Sequence, residues 1–334
     1  MTSLVLTLTE TLRYRGAVGQ WSWVLHRLTG LGVVFFLTLH VIDTSWSVFY
    51  PQLYVEAIAT YQSPLFTIGE FGLVFAVVYH ALNGIRIALF DYRPRWWKYQ
   101  QRAALVVLAL TVIILLPTFI LMFGHVINFY NGEAQVLGLV EVLMAQLPFL
   151  AGFAVAIIGA LLFAAITSVI APAHPQVGRL HASRLEKFWW SYMRISGVLI
   201  LPLVFGHLAM QHLIQGVFDI TAAGHSVVGT DLINQTGTSV EFVADRWSML
   251  VGGVAIWRVY DFALLALTVI HGFNGLRYVL TDYTMKSAVL KRASIYLCVI
   301  AAVVLLVLGG AALLSTISQS ALDIAAQAAA VLHE

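Results

Sequence analysis

The sequence predicts an all-α integral membrane protein with seven transmembrane helices, six of them forming two three-helix repeats and the seventh a linker between them. Three observations predict it. Of the 334 residues, 60% are apolar and 10% are Asp, Glu, Lys or Arg, where a soluble domain carries about 25% charged residues. Seven apolar runs reach the length needed to cross a bilayer core of about 30 Å. Two short motifs occur twice, in the same order, in the two halves of the chain. The first observation also excludes function classes. With Lys+Arg 18 and Asp+Glu 16, charge cannot cover a water-facing surface of this size, so a soluble enzyme is excluded. A net charge of +2 supplies no basic field for phosphates, so no nucleic-acid partner is expected.

The runs lie at about 28–49, 67–90, 104–127, 147–171, 195–217, 254–280 and 293–316. Each is a helix, because none shows the alternation of a β-barrel strand and a lipid-exposed backbone must satisfy its own hydrogen bonds. The first run is too long for a signal peptide and follows a polar stretch with Arg13 and Arg15. Orientation follows from the cations. Arg13, Arg15 and Arg27 precede span one. Arg86, Arg93, Arg95, Lys98 and Arg102 surround the junction of spans two and three. Arg179, Arg184, Lys187 and Arg194 lie between four and five, and Arg277, Lys286, Lys291 and Arg292 around the junction of six and seven. Sixteen of eighteen cations thus share one side, leaving Arg246 and Arg258 on the other. The expectation is a bacterial-type inner membrane, a cytoplasmic N-terminus and an external C-terminus.

The first repeated motif is Arg27-Leu-Thr29-Gly30 followed by His40, and again Arg194-Ile-Ser196-Gly197 followed by His207. The second is His80-Ala-Leu-Asn83-Gly84-Ile-Arg86 with Asp91-Tyr92, and again His271-Gly-Phe-Asn274-Gly275-Leu-Arg277 with Asp282-Tyr283. Seven matches in a window of thirteen residues indicate duplication. The longer second copy absorbs its extra residues in a loop around 218–253. A unit of three spans that starts inside ends outside, so restarting the second copy inside requires one more crossing. Span four has no counterpart and supplies it. The chain therefore divides into a first unit (1–130), a linker with the extra helix (131–178) and a second unit (179–334).

One cysteine, Cys298, excludes an internal disulfide and a thiolate cluster and leaves eleven histidines as the ligands in quantity. His40 and His207 each lie thirteen residues past an interfacial arginine, roughly 20 Å along a helix. His80 and His271 each lie eleven residues before an Asp-Tyr pair, roughly 16 Å. Four histidines at membrane depth, in two symmetric pairs, suit a bis-imidazole haem bound between helices. Gly84 and Gly275, four residues after their histidines, are expected to leave room for the flat ring. A lone membrane histidine is more often a hydrogen-bonding core residue. His125 and His212 have no repeat partner and are read as bundle or loop residues, and His26 as interfacial. His174, His181, His225 and His333 fall in loops or the tail.

These residues resemble the cytochrome b membrane anchor of succinate dehydrogenase (complex II) and fumarate reductase, with large and small anchor subunits fused in one chain. Trp-Ser-Trp-Val-Leu-His26-Arg27-Leu-Thr29-Gly30 is similar to the large subunit's Ser-x-x-His-Arg-x-(Ser/Thr)-Gly signature. Tyr79-His80 with Gly84-Ile85-Arg86 and Asp91 resembles its haem helix, and His271…Gly275…Asp282-Tyr283 the small subunit. The resemblance implies a proximal haem b on His80 and His271, and a distal one on His40 and His207. It implies flavoprotein and iron–sulfur partners on the cytoplasmic face, with no succinate site in this chain. It places quinone between Arg27 and Tyr283, with Trp23, Ser22 and Asp282 nearby. In ubiquinone-reducing relatives a serine stands four residues before the arginine; here that position is Trp23 and Ser22 is displaced by one. Two haems go more often with menaquinone, which is the expected quinone. A higher oligomer of the complex is compatible with this reading.

His26, Arg194, Arg86 and Arg277 are expected to serve a haem propionate or the interface, where a guanidinium forks two bonds to a carboxylate; the alternative is a snorkelling anchor. Glu70 and Asp261, each ten residues before a repeat histidine, are either distal proton carriers or caps at helix N-termini. Two other functions remain open at this stage: a di-haem cytochrome b of another quinone oxidoreductase, and a proton-coupled transporter. The parallel repeat, with Pro117 and Pro202 as the mid-span prolines, argues against the inverted repeats and broken helices of transporters.

Overall fold

The computed structural model describes residues 17–131, 147–170 and 183–332, with Val140 and Met144. The expectations placed on Arg13, Arg15, His174, Arg179, His181 and His333 lie outside the described residues, as does most of the stretch before span four.

Among the described residues, seven helices are long and apolar enough to span a membrane. They are α1 (Val18–Phe49), α3 (Pro64–Tyr92), α4 (Gln100–Tyr130, preceded by a 3-10 turn over Pro94–Tyr99), α5 (Leu147–Ile170), α6 (Arg184–Leu208, continued by a π turn over Ala209–Ile214), α8 (Ile256–Thr284) and α9 (Ala288–Leu314). Span number and order match the sequence reading. The main difference is at the arginine-rich ends: α1 starts ten residues before the expected Leu28, and α6 eleven before the expected Ile195. Those added turns carry Trp23, Arg27, Trp190 and Arg194. Such amphipathic side chains suit a helix leaving the hydrocarbon, where an apolar-run criterion stops too early.

Four helices form the centre. α1 packs on α3, α3 on α6, α6 on α8, and α8 back on α1, which closes a ring made of the first two helices of each unit. The third helices lie outside it: α4 against α3 and α1, α9 against α8 and α1. The linker helix α5 lies against α9, where Arg292 donates to the carbonyl of Thr167 at 3.0 Å and Phe163 meets Tyr296 edge to face. This position leaves α5 outside the central ring.

The end opposite the arginine cluster is closed by a cap that apolar-run counting did not reveal. It comprises α2 (Pro51–Tyr61), α7 (Ser239–Ser248), α10 (Gln319–Leu332), and two short hairpins, β1–β2 (His225–Ser226 with Ile233–Asn234) and β3–β4 (Leu250–Val251 with Val254–Ala255). Helix α10 packs on α2 and α7. Tyr54, Ile58, Val240, Val243, Trp247 and Ala325 are buried in the same core as Val41 and Leu265 of the bundle. Thr238 caps α7 by accepting from the Glu241 amide, while Glu241 accepts from the amides of Gln235 and Thr236, a pairing close to a capping box. Gly252 and Gly253, at φ 58° and 82°, supply the left-handed pair that turns the second hairpin.

Candidate functional site

All four repeat histidines lie on the central ring: His40 on α1, His80 on α3, His207 on α6 and His271 on α8. Toward the arginine-rich end, the Nδ1 of His80 meets the carbonyl of His26 at 3.1 Å. His271 Nδ1 meets the Ser196 hydroxyl at 2.8 Å, and that hydroxyl donates to the Tyr192 carbonyl at 2.6 Å. A carbonyl can only accept, and a hydroxyl whose proton is spent can accept too. Both imidazoles therefore carry their proton on Nδ1, leaving Nε2 as a free lone pair. The acceptor in each case comes from the first helix of the same unit. His80 and His271 lie within electrostatic reach of each other.

His26 is not merely interfacial. Its ring stacks on His80 with centroids 4.0 Å apart and planes 6° apart, which fixes the orientation of the His80 ring. The closest approaches to the histidine rings come from two other glycines, Gly30 and Gly197. A Cβ on Gly30 would stand 2.8 Å from His80 Cε1, and one on Gly197 3.4 Å from His271 Cε1. Gly84 and Gly275 would make ordinary contacts at 3.7 Å with His26 and 3.5 Å with Met193. Helix spacing put Gly84 and Gly275 on the histidine face, but the closest approach comes from the neighbouring helix of the same unit.

Toward the cap, His40 and His207 have ring centroids 5.9 Å apart. Two imidazoles bound to opposite sides of one metal, with bonds of about 2 Å, require a separation of about 6 Å. His207 Nδ1 has no hydrogen-bond partner among the described residues. No group of three ligating side chains suited to a bare ion forms among those residues. Paired imidazoles fit a metal whose other ligands come with it, as in haem.

At the arginine-rich end the two units exchange ion pairs. Arg27 of the first unit pairs with Asp282 of the second. Arg194 of the second pairs with Asp91 of the first, its Nε donating at 3.0 Å. Each guanidinium lies over the tryptophan four residues before it: Arg27 on Trp23 at 4.0 Å and Arg194 on Trp190 at 3.6 Å. Arg27, Trp23 and Asp282 thus share one corner, and Tyr283, the next residue after Asp282, is 53% exposed. Ser22 is not brought to that corner. Its hydroxyl donates to Asn83 at 2.9 Å and accepts from Tyr79 and Arg86, on another face of α1. The second-motif Asn-Arg pairs repeat as well: Arg86 Nε donates to Asn83 at 2.9 Å and Arg277 Nε to Asn274 at 3.0 Å. Arg277 also forks onto Glu186. Arg86 is buried with no carboxylate partner among the described residues.

The repeated acids are not helix caps. Helices α3 and α8 begin at Pro64 and Ile256, with Ser63 and Ala255 at the cap positions, so Glu70 and Asp261 stand in the second turn. Each faces a side chain of another element near the cap. Glu70 meets His212 Nδ1 at 2.6 Å, and Asp261 faces Arg246 at 3.9 Å while accepting from Trp247 Nε1 at 3.0 Å. His212 thereby gains a role that the missing repeat partner hid. Asp43, three residues past His40, was also missed: it is buried and accepts from the Tyr61 hydroxyl. Its position one helical turn from His40 was the available signal. Burial and the Asp43 charge push the Tyr61 hydroxyl pKa up, so Tyr61 stays the donor.

A family model described as succinate dehydrogenase/fumarate reductase transmembrane subunit matches residues 8–118 and 167–309. The chain belongs to that family. Most of α5 falls between the two matched segments. The succinate dehydrogenase 2 membrane subunit SdhC of Mycobacterium tuberculosis is 40% identical over 104 residues, covering 31% of this chain and 76% of that protein. The succinate dehydrogenase hydrophobic membrane anchor subunit of Halobacterium salinarum is 31% identical over 107 residues, covering 31% of this chain and 82% of that protein. No solved structure matches. Each of these relatives aligns with about a third of the chain.

Proposed function

We propose that this complex II membrane subunit carries two haems b, one on His80 and His271 and one on His40 and His207, and passes electrons from an iron–sulfur partner to quinone, with menaquinone as the acceptor. One observation carries the reading: on both second helices, Nδ1 is tied to an acceptor of its own unit and Nε2 is left free, the state in which an imidazole would hold a haem iron. Bound haem supplies one-electron carriers along the bundle. The chain's own residues do the rest. Gly30 and Gly197 admit the histidine rings, His26 holds the His80 plane, and Arg86 offers a buried cation for a propionate. Arg194 and Arg277 serve the interface through Asp91 and Glu186.

The arginine-rich end faces the cytoplasm and receives the iron–sulfur and flavoprotein subunits, with the membrane a bacterial inner membrane and the C-terminus outside. Quinone is held at the corner of Arg27, Trp23, Asp282 and Tyr283, where the Tyr283 hydroxyl donates to a quinone carbonyl and Arg27 stays fixed by Asp282. Glu70 and Asp261 carry protons at the capped end. A reduced-minus-oxidised spectrum of the purified chain tests for haem. Tyr283→Phe in the assembled complex tests the quinone corner: quinone reduction should fall at least fivefold while dye reduction by the partner subunits is unchanged. Unchanged quinone reduction removes Tyr283 from the site.

A further inference from the structure

The two cations on the capped side do different work. Arg258 is consumed by the fold: its Nε donates to the Trp247 carbonyl at 2.9 Å, and its Nη1 to the carbonyls of Leu313 and Ser315 at 2.8 Å. It closes the end of α9 and ties it to the cap. Arg246 on α7 is 4% exposed, yet its donors find little. Nη1 reaches only the Met210 sulfur at 3.9 Å, and Nη2 has no hydrogen-bond partner among the described residues. Asp261 faces it at 3.9 Å, beyond hydrogen-bonding distance, and is already bonded to Trp247.

A buried cation without hydrogen bonds is costly, because desolvation is offset only when charge and donors both find partners. Burial draws the Arg246 pKa down, and the Asp261 charge opposes the shift; a guanidinium in this position remains a cation. Its plane rests on the Trp257 ring at 4.2 Å. The Met210 that it contacts lies three residues past His207, one of the two repeat histidines toward the cap. The geometry is that of an arginine held flat from below, shielded from water by the cap, with a donor edge unused beside a candidate haem site. The partner this chemistry fits is a carboxylate that arrives with another molecule.

We infer that Arg246 is the anchor for a propionate of the haem held by His40 and His207, donating through Nη2 once that haem is bound. This rests on the two-haem reading above. The cations expected to serve a propionate all lie at the other end of the bundle, and Arg246 has no counterpart in the repeat. The outer segment of the second unit would thus complete a site that the duplicated helices leave without a cation.

The test is a potentiometric titration of the haems in the intact complex carrying Arg246→Gln or Arg246→Lys, with His207→Ala identifying the distal component. A nearby cation favours the reduced haem, so its removal lowers the midpoint potential. In Arg246→Gln the oxidised-to-reduced ratio of the distal haem at fixed potential should rise about tenfold, a shift of about 59 mV for one electron. The proximal haem should not move, and Arg246→Lys should restore most of the shift. Loss of the distal haem in Arg246→Gln with retention in Arg246→Lys also supports the assignment. An unchanged distal midpoint in Arg246→Gln overturns it. So does haem loss in both variants together with new protease cleavage within 218–255, which would make Arg246 a cap residue. If His207→Ala removes no haem signal, the two-haem reading itself fails, independently of the Arg246 variants.

Discussion

The two ends of the central four-helix ring have diverged by different amounts from the duplication that made them. At the arginine-rich end the repeat persists as geometry. Arg27 and Arg194 each lie over a tryptophan and pair with the aspartate of the opposite unit, and Asn83 and Asn274 each accept from the arginine three residues on. At the capped end the repeated acids face different partners: Glu70 an imidazole, Asp261 an indole and a guanidinium. The cap explains the difference. The segment between α6 and α8 is far longer than its counterpart α2, so only the second unit brings α7 and Arg246 over the ring. Symmetry survives where both units supply the same groups and is lost where one unit supplies the lid.

The largest effects should come from the histidines, and they decide whether both ends hold haem. Replacing His80 or His271 with Ala should remove half of the haem per chain, and replacing His40 or His207 the other half, measured as pyridine haemochrome on the purified complex. Full haem in both His40→Ala and His207→Ala would confine cofactor to the arginine-rich end and make the capped end structural.

Next in size is the reciprocal ion pair. The corners are alike in Arg, Trp and Asp, but the quinone reading uses only the Arg27 corner. Arg27→Gln should lower quinone reduction at least tenfold in the assembled complex, and Arg194→Gln less than twofold, with dye reduction as the control. Equal losses would mean that the two corners are equivalent, and the asymmetry assigned to them would be wrong.

What was legible in the sequence follows the same division. Span number, the duplication and the four central histidines could be read because each is a local pattern of hydropathy or spacing. The cross-unit pairing of Arg27 with Asp282 could not be read from spacing, which says nothing about which unit supplies the aspartate; only the resemblance put Asp282 near Arg27. The glycines that meet the histidine rings went unnoticed for a related reason. Gly84 shares a helix face with His80, but Gly30 meets it from the neighbouring helix, and only packing reveals that. The cap escaped because α2, α7 and α10 are too short or too polar for an apolar-run criterion, although the Thr238–Glu241 pairing is a recognisable helix start.

The glycines also sharpen the comparison between units. A methyl group on Gly30 would stand 2.8 Å from His80, whose ring is pinned by the His26 stack and carbonyl. At Gly197 the corresponding distance to His271 is 3.4 Å, ordinary contact. Gly30→Ala should therefore displace His80, broadening or shifting the proximal haem band and lowering proximal haem content severalfold, up to half of the total. Gly197→Ala should change content by less than a quarter. Equal tolerance at both positions would show that His80 is free to move and is not held as the stack implies.

The smallest expected effect tests the cap itself. Asp245 and Glu241 lie four residues apart on α7, and desolvation followed by the Glu241 charge raises the Asp245 pKa. A carboxyl whose pKa is higher in the folded state is favoured by folding when protonated. Its contribution is therefore fully present below its unfolded pKa, about 3.9, and is lost as pH rises through the folded value. At pH 7 the ionised side chain is a liability. Asp245→Asn should slow protease cleavage within 218–255 at pH 7 and make no difference near pH 3.5. A like-charged pair at this helical spacing costs roughly 0.2–0.5 kcal/mol, and solvent screening keeps the gain at the low end, so the cleavage rate should fall by no more than about twofold. The expected gain grows with pH; a gain that was instead larger at pH 3.5 than at pH 7 would reverse the sign and show that ionised Asp245 stabilises α7.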